Sequence, residues 1–141
     1  MSRHFLISIA TLALLTFAIT DSSFARNRKD NPRKVYAYGA AESLNDTLLY
    51  LSPIQELQGA ELDRSGFLIF REEYEAQLQQ YIQTQHPGQE TLCVIVYSTS
   101  RNKLEKKYLR LRREWNRRSH RRFTELPVTD FQFRPRQTAE Q

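Results

Sequence analysis

The period of apolar residues changes several times along this chain, and each change marks an element. Val35-Tyr36-Ala37-Tyr38-Gly39-Ala40-Ala41 is rich in aromatic and small residues and predicts a strand. Thr47 to Ile54 predicts a second, with Asn45-Asp46 as the turn of a hairpin. Alternation puts Ala37, Gly39 and Ala41 on one face of the first strand, where their size lets a helix backbone come close. After a polar link containing Gly59, Asp63 and Ser65-Gly66, the run Phe67-Leu68-Ile69-Phe70 leads into a helical stripe of Phe70, Tyr74, Leu78, Tyr81 and Ile82. Glu72, Glu73 and Glu75 suit the positive end of that helix, and His86-Pro87-Gly88 stops it after Gln85. Thr91 to Tyr97 is apolar on both faces, as in an interior strand. Leu104, Tyr108, Leu111 and Trp115 mark a second helix over about residues 103–118, and Thr129-Asp130-Phe131-Gln132-Phe133 alternates like a strand with one wet face.

The predicted order is ββαβαβ, an α+β fold. It is expected as a two-layer α/β sandwich, a four-stranded mixed sheet with two helices, whose right-handed crossovers make the later strands parallel. Strands two and three carry apolar residues on both faces. Either the helices therefore lie on opposite sides, or an uncovered face meets a partner chain in a homo-oligomer.

The longest apolar run lies at the start, outside this domain. Arg3 precedes the run Phe5 to Ile19, and Ser23-Phe24-Ala25 has the small-x-small form of a cleavage site, so residues 1–25 read as a secretory signal peptide. A membrane anchor needs about twenty apolar residues, and Arg26, Arg28, Lys29, Arg33 and Lys34 after the run oppose an anchor with a cytoplasmic N-terminus. The mature chain is then expected to be exported, periplasmic or secreted, with no transmembrane segment and no cysteine at the cut to carry a lipid. Residues 26–33 read as a disordered lead-in, 34–133 as one domain and 134–141 as a polar tail. Cleavage removes one base and one acid, so the net charge of +5 is unchanged. The remaining length supports a core without disulfides, and the single cysteine, Cys93 in Leu92-Cys93-Val94-Ile95-Val96, reads as buried.

Charge then singles out one surface. Between residues 101 and 122 there are eleven bases, Arg101, Lys103, Lys106, Lys107, Arg110, Arg112, Arg113, Arg117, Arg118, Arg121 and Arg122, against Glu105 and Glu114. The apolar stripe turns one side of the helix inward, so these charges fan over the solvent side and attract anionic lipid headgroups or polymers. The plain alternative is a solvated face that keeps the protein soluble. In an exported protein the basic helix points to anionic lipid, to polysaccharide or to a protein partner, and nucleic acid is a poor candidate. A second candidate is Ser98-Thr99-Ser100-Arg101-Asn102, at the junction of a strand with a helix N-terminus, where an anion is welcome. Asn102 and Glu105 there also have capping-box spacing, which would satisfy the helix start internally.

The candidate anion-binding residues are thus Ser98, Ser100, Arg101, Lys106, Arg110, Arg113 and Arg117. His86 and His120 have no cysteine or carboxylate at ligand spacing, so no metal site is expected. No nucleophile elbow, phosphate loop or cofactor motif is present, and catalysis, with a small hydrolase as its weakest form, has no motif behind it. Tyr36, Tyr38, Tyr50 and Trp115 fit either sheet and core packing or an aromatic sugar-binding platform.

The segments Val35-Tyr36-Ala37-Tyr38-Gly39-Ala40-Ala41-Glu42-Ser43-Leu44-Asn45-Asp46-Thr47, Thr91-Leu92-Cys93-Val94 and Glu105-Lys106-Lys107-Tyr108 resemble a group of small exported proteins of uncharacterised function from Bacteroidales-type bacteria. The resemblance runs from about Val35 to Phe133. It implies an envelope or secreted setting in a two-membrane bacterium and carries no catalytic residue with it.

Overall fold

The computed structural model describes residues 33–118 and 120–135. The expected leader, nearly all of the lead-in and the end of the tail lie outside the described residues. Five strands and two helices follow one another as β1 (Tyr36–Ser43), β2 (Leu48–Leu51), β3 (Gln55–Glu56), α1 (Arg71–Gln85), β4 (Thr91–Ser98), α2 (Arg101–Arg117) and β5 (Arg122–Glu125). The fold is α+β with a mixed sheet and two helices, as the apolar periods predict.

β1 is the strand on which the sheet is assembled. β4 pairs antiparallel along its whole length, from Tyr36 opposite Ser98 to Ser43 opposite Thr91. The other edge of β1 takes β2 at residues 40–42 and β3 at residues 36–37, both antiparallel. β2 and β3 are therefore one path broken in the middle, and the break separates five strands from the expected four. Across Ser52-Pro53-Ile54 the register advances by one residue, a bulge at a proline that has no N–H to give. The buried Ser52 repairs the ladder there: its N–H donates to Gly39 O at 2.9 Å, and its Oγ accepts the Gly39 N–H at 2.7 Å. β5 adds parallel to β2, in register from Leu48 opposite Arg122 to Leu51 opposite Glu125. β4 and β5 thus run in the same direction, at the two edges of the sheet.

The helices lie on opposite faces, so there are three layers rather than two. Ala37, Ala41, Tyr50 and Ile95 gather with Tyr74, Leu78 and Ile82 of α1. Tyr38, Ala40, Leu49 and Leu51 gather with Leu104 and Trp115 of α2. The period of two in β1 decides this division, small residues toward α1 and Tyr38 toward α2. Close approach at Gly39 is literal: a Cβ there would lie 2.5 Å from Leu78 Cδ2 and 3.3 Å from Phe133 Cζ.

Three expectations are corrected. β4 is an edge strand, not an interior one; α2 packs over Val96 but leaves Leu92 and Val94 59% and 44% exposed. Cys93 is consequently half-buried rather than buried. The last strand lies at Arg122–Glu125, and residues 129–133 are a turn and an extended segment outside the sheet. Phe131 and Phe133 are nevertheless buried against α1, their rings 4.9 Å apart. Glutamine side chains supply the backbone partners that a strand would have given. Gln55 Nε2 donates to Phe131 O and its Oε1 accepts from Phe133 N, while Gln77 brackets Arg134 the same way.

The glycine contact yields a test. Gly39→Ala should cost about 1–3 kcal/mol by overpacking, because Leu78 is fully buried and cannot swing clear. Adding Leu78→Val, which shortens the obstructing side chain, should recover part of that loss in a urea-denaturation double-mutant cycle; strictly additive losses would show that the two residues do not meet.

Candidate anion-binding ridge

α2 starts at Ser100, whose Oγ accepts the Lys103 N–H at 3.4 Å, and ends at Arg118, whose N–H reaches Trp115 O. Leu104 and Trp115 are buried, with Tyr108 and Leu111 packed beside them, and the Trp115 indole donates to Arg122 O at 2.7 Å. That stripe fixes the roll of the helix and therefore the direction of every charge on it.

The bases divide into two sets. In one, each guanidinium is occupied. Arg101 meets Glu105 at 3.0 Å. Arg112 meets Glu125 at 3.2 Å and lies over the Phe123 ring at 5.0 Å. Arg121 meets Glu42 at 3.3 Å and covers Trp115 at 4.5 Å. Arg112 and Arg121 thereby fasten α2 and the segment after it to the sheet. In the other set, Lys103, Lys106, Lys107, Arg110, Arg113, Arg117, Arg118 and Arg122 are exposed, and none has an ion-pair partner among the described residues.

Of these eight, Lys106, Arg110, Arg113 and Arg117 share one line. At 100° per residue they fall within a narrow sector directly opposite the Leu104, Tyr108, Leu111 and Trp115 stripe, and at 1.5 Å per residue they span about 16 Å. Like charges three and four positions apart on a helix repel by about 0.2–0.5 kcal/mol per pair. The row therefore carries a strain that a bound anion relieves, offset in part because Arg113 and Arg117 lie toward the negative end of the helix dipole. Exposed Leu109 flanks the row. The surface is convex, suited to a flat or linear array of anions rather than to an enclosed molecule.

The remaining candidates do not join the ridge. Ser98 Oγ accepts the Ser100 N–H at 3.0 Å and Ser100 Oγ is spent on the cap, so the strand-to-helix junction satisfies itself. Ser100, not Asn102, is the cap, and Glu105 is held by Arg101 instead of reaching back. Tyr38, Tyr50 and Trp115 are buried, with Tyr50 on the α1 side and the other two on the α2 side, so they serve the core and form no common platform.

Two depressions, of about 170 and 680 Å³, lie on the α1 side. Asp130 is the one carboxylate lining the larger, and its Oδ1 accepts the Thr129 hydroxyl at 2.9 Å. Among the described residues no three His, Cys, Asp or Glu side chains gather as a metal site, and no helix is long and apolar enough to cross a membrane. No family model, curated protein or solved structure matches this chain.

Tyr108 bonds the ridge helix to the sheet edge through its hydroxyl, which donates to Glu125 Oε1 at 3.1 Å, and its ring meets Tyr38 edge-on. Burial, reinforced by the Glu125 carboxylate, pushes its phenol up to about 12. A raised phenol stabilises the fold fully below its unfolded value near 10, and that contribution is lost as pH rises through the folded value. The protein should accordingly lose stability between about pH 10 and 12, and Tyr108→Phe should flatten that loss in chemical-denaturation midpoints. An unchanged alkaline slope would remove Tyr108 as its source.

Proposed function

We propose that this protein is a non-enzymatic exported module, periplasmic or secreted, that contacts an anionic envelope component through the ridge on α2. The observation behind this reading is the row of Lys106, Arg110, Arg113 and Arg117, aligned opposite the core stripe and without an ion-pair partner among the described residues, while Arg101, Arg112 and Arg121 are tied to carboxylates. A helix face kept only for solubility gains nothing from lining four like charges along one edge, whereas a surface of phosphate, sulfate or carboxylate groups meets all four at once. The leader and the resemblance to exported proteins support the location. Anionic lipid and acidic polysaccharide present the same charge chemistry to the ridge.

A homo-oligomer joined through a sheet face is the second reading, and it has less surface to use because α1 and α2 cover opposite faces.

Retention on heparin and on vesicles containing anionic phospholipid tests the ridge, and preference for one over the other separates polymer from lipid. Binding should weaken steeply as salt rises from about 10 mM, where screening extends about 30 Å, to about 100 mM, where it extends about 10 Å. Charge reversal by Arg110→Glu, Arg113→Glu and Arg117→Glu together should cut vesicle affinity by about a hundredfold or more, at about 1 kcal/mol per basic residue near an anionic surface. Binding that ignores salt, or survives the triple reversal in a chain with unchanged circular dichroism, rejects the ridge as the contact.

A further inference from the structure

The two edges of the sheet are finished in opposite ways. β5 is four residues long and carries Arg122 and Glu125 at its ends, the short, charged strand that discourages further pairing. β4 has eight residues, Thr-Leu-Cys-Val-Ile-Val-Tyr-Ser, with no charge, proline, glycine or bulge. Among the described residues no strand lies against its outer side. Leu92 and Val94 stand exposed on the same face, and Val96 beside them is half-buried.

We propose that β4 pairs antiparallel with β4 of a second copy about a two-fold axis at Val94. An axis perpendicular to the sheet leaves each face on its own side, so the central residue must oppose itself. Centred on Val94, the pairing sets Leu92 against Val96 of the second copy, Cys93 against Ile95 and Thr91 against Tyr97. Both exposed side chains are then covered by apolar ones. A centre at Ile95 would set Leu92 against Ser98, and one at Cys93 would set Val96 against Glu90, so of these three registers only Val94 gives both Leu92 and Val96 an apolar partner.

Charge favours the same arrangement. Glu90 flanks one end of the strand and Lys103, unpaired among the described residues, the other, so antiparallel copies place acid toward base where parallel copies would stack like on like. Seven facing residues per copy make an interface below the standard size, and the dimer should accordingly be concentration-dependent. The axis also keeps both α2 helices on one side of a continuous sheet. Two ridges would then face the same anionic surface and bind it with avidity, a consequence that rests on the ridge reading while the dimer itself does not.

Sedimentation velocity of the purified chain, from about 1 µM to about 1 mM, should show a monomer converting to a dimer. Val94→Lys, at an exposed position, should leave circular dichroism unchanged and abolish the dimer. In a Cys93→Ser background, Val94→Cys should form a disulfide-linked dimer on mild oxidation, because facing residues across antiparallel strands have Cβ atoms about 4.5–5.5 Å apart; Cys93 in the original chain should cross-link far more slowly. A monomer throughout the range, or a dimer indifferent to Val94→Lys, overturns the proposal. Faster cross-linking of the original chain through Cys93 than of the Val94→Cys variant overturns the register. A monomer that instead takes up an added extended peptide along β4 assigns the edge to a foreign strand. Loss of vesicle binding by the ridge variants leaves each of these outcomes readable, since none of them involves α2.

Discussion

Everything in this fold depends on the two unlike faces of β1. One face carries Ala37, Gly39 and Ala41, and the buried Leu78 of α1 enters the space that a single Cβ on Gly39 would fill. The other carries Tyr38, whose ring meets Tyr108 of α2 at 5.0 Å. A strand with large residues on both sides would hold α1 away from the sheet and leave Ile82 and Tyr74 without their packing. With small residues on both sides, α2 would have nothing to seat against. The alternation sorts the helices to opposite faces and sets which side of α2 faces water, so the direction of the cationic ridge follows from residues near the start of the domain.

Elements whose reason lies in their own residues are legible in the sequence. The β1–β2 hairpin, α1 with its stop at His86-Pro87-Gly88, and α2 with its four-residue stripe all have that property. The elements that escape depend on residues far away in the chain. The segment from Phe131 to Arg134 alternates like a strand, and its two phenylalanines are buried as a strand's would be. Its backbone, however, is held by the amides of Gln55 and Gln77, and nothing local distinguishes that from a ladder. β5 is hidden for the converse reason. Its polar residues find their partners on α2 and β2, where the Glu125 carboxylate accepts from Tyr108 and the Arg122 carbonyl accepts from Trp115, so a short charged run that reads as loop is in fact pinned into the sheet.

The departure at β4 has a different origin. An apolar run on both faces is the usual mark of a strand between two neighbours, yet among the described residues β4 has one neighbour and α2 leaves half of one face open. The pattern reports what the strand tolerates burying. It does not report whether the covering atoms belong to the same chain.

Charge count and charge geometry part company on α2 in a similar way. Eleven bases in twenty-two residues suggest a broad positive field, but the fold withdraws Arg101, Arg112 and Arg121 into ion pairs and ring contacts. An arginine laid on Trp115 or Phe123 contributes its stem and its plane to packing, and its charge is largely spent on a neighbouring carboxylate. Of the eight left over, four are set apart by phase. Lys106, Arg110, Arg113 and Arg117 lie farthest from the core stripe and so farthest from any acid that the sheet could offer. The same stripe that buries Leu104 therefore concentrates unneutralised charge on one outer line, and the binding surface is the geometric complement of the core.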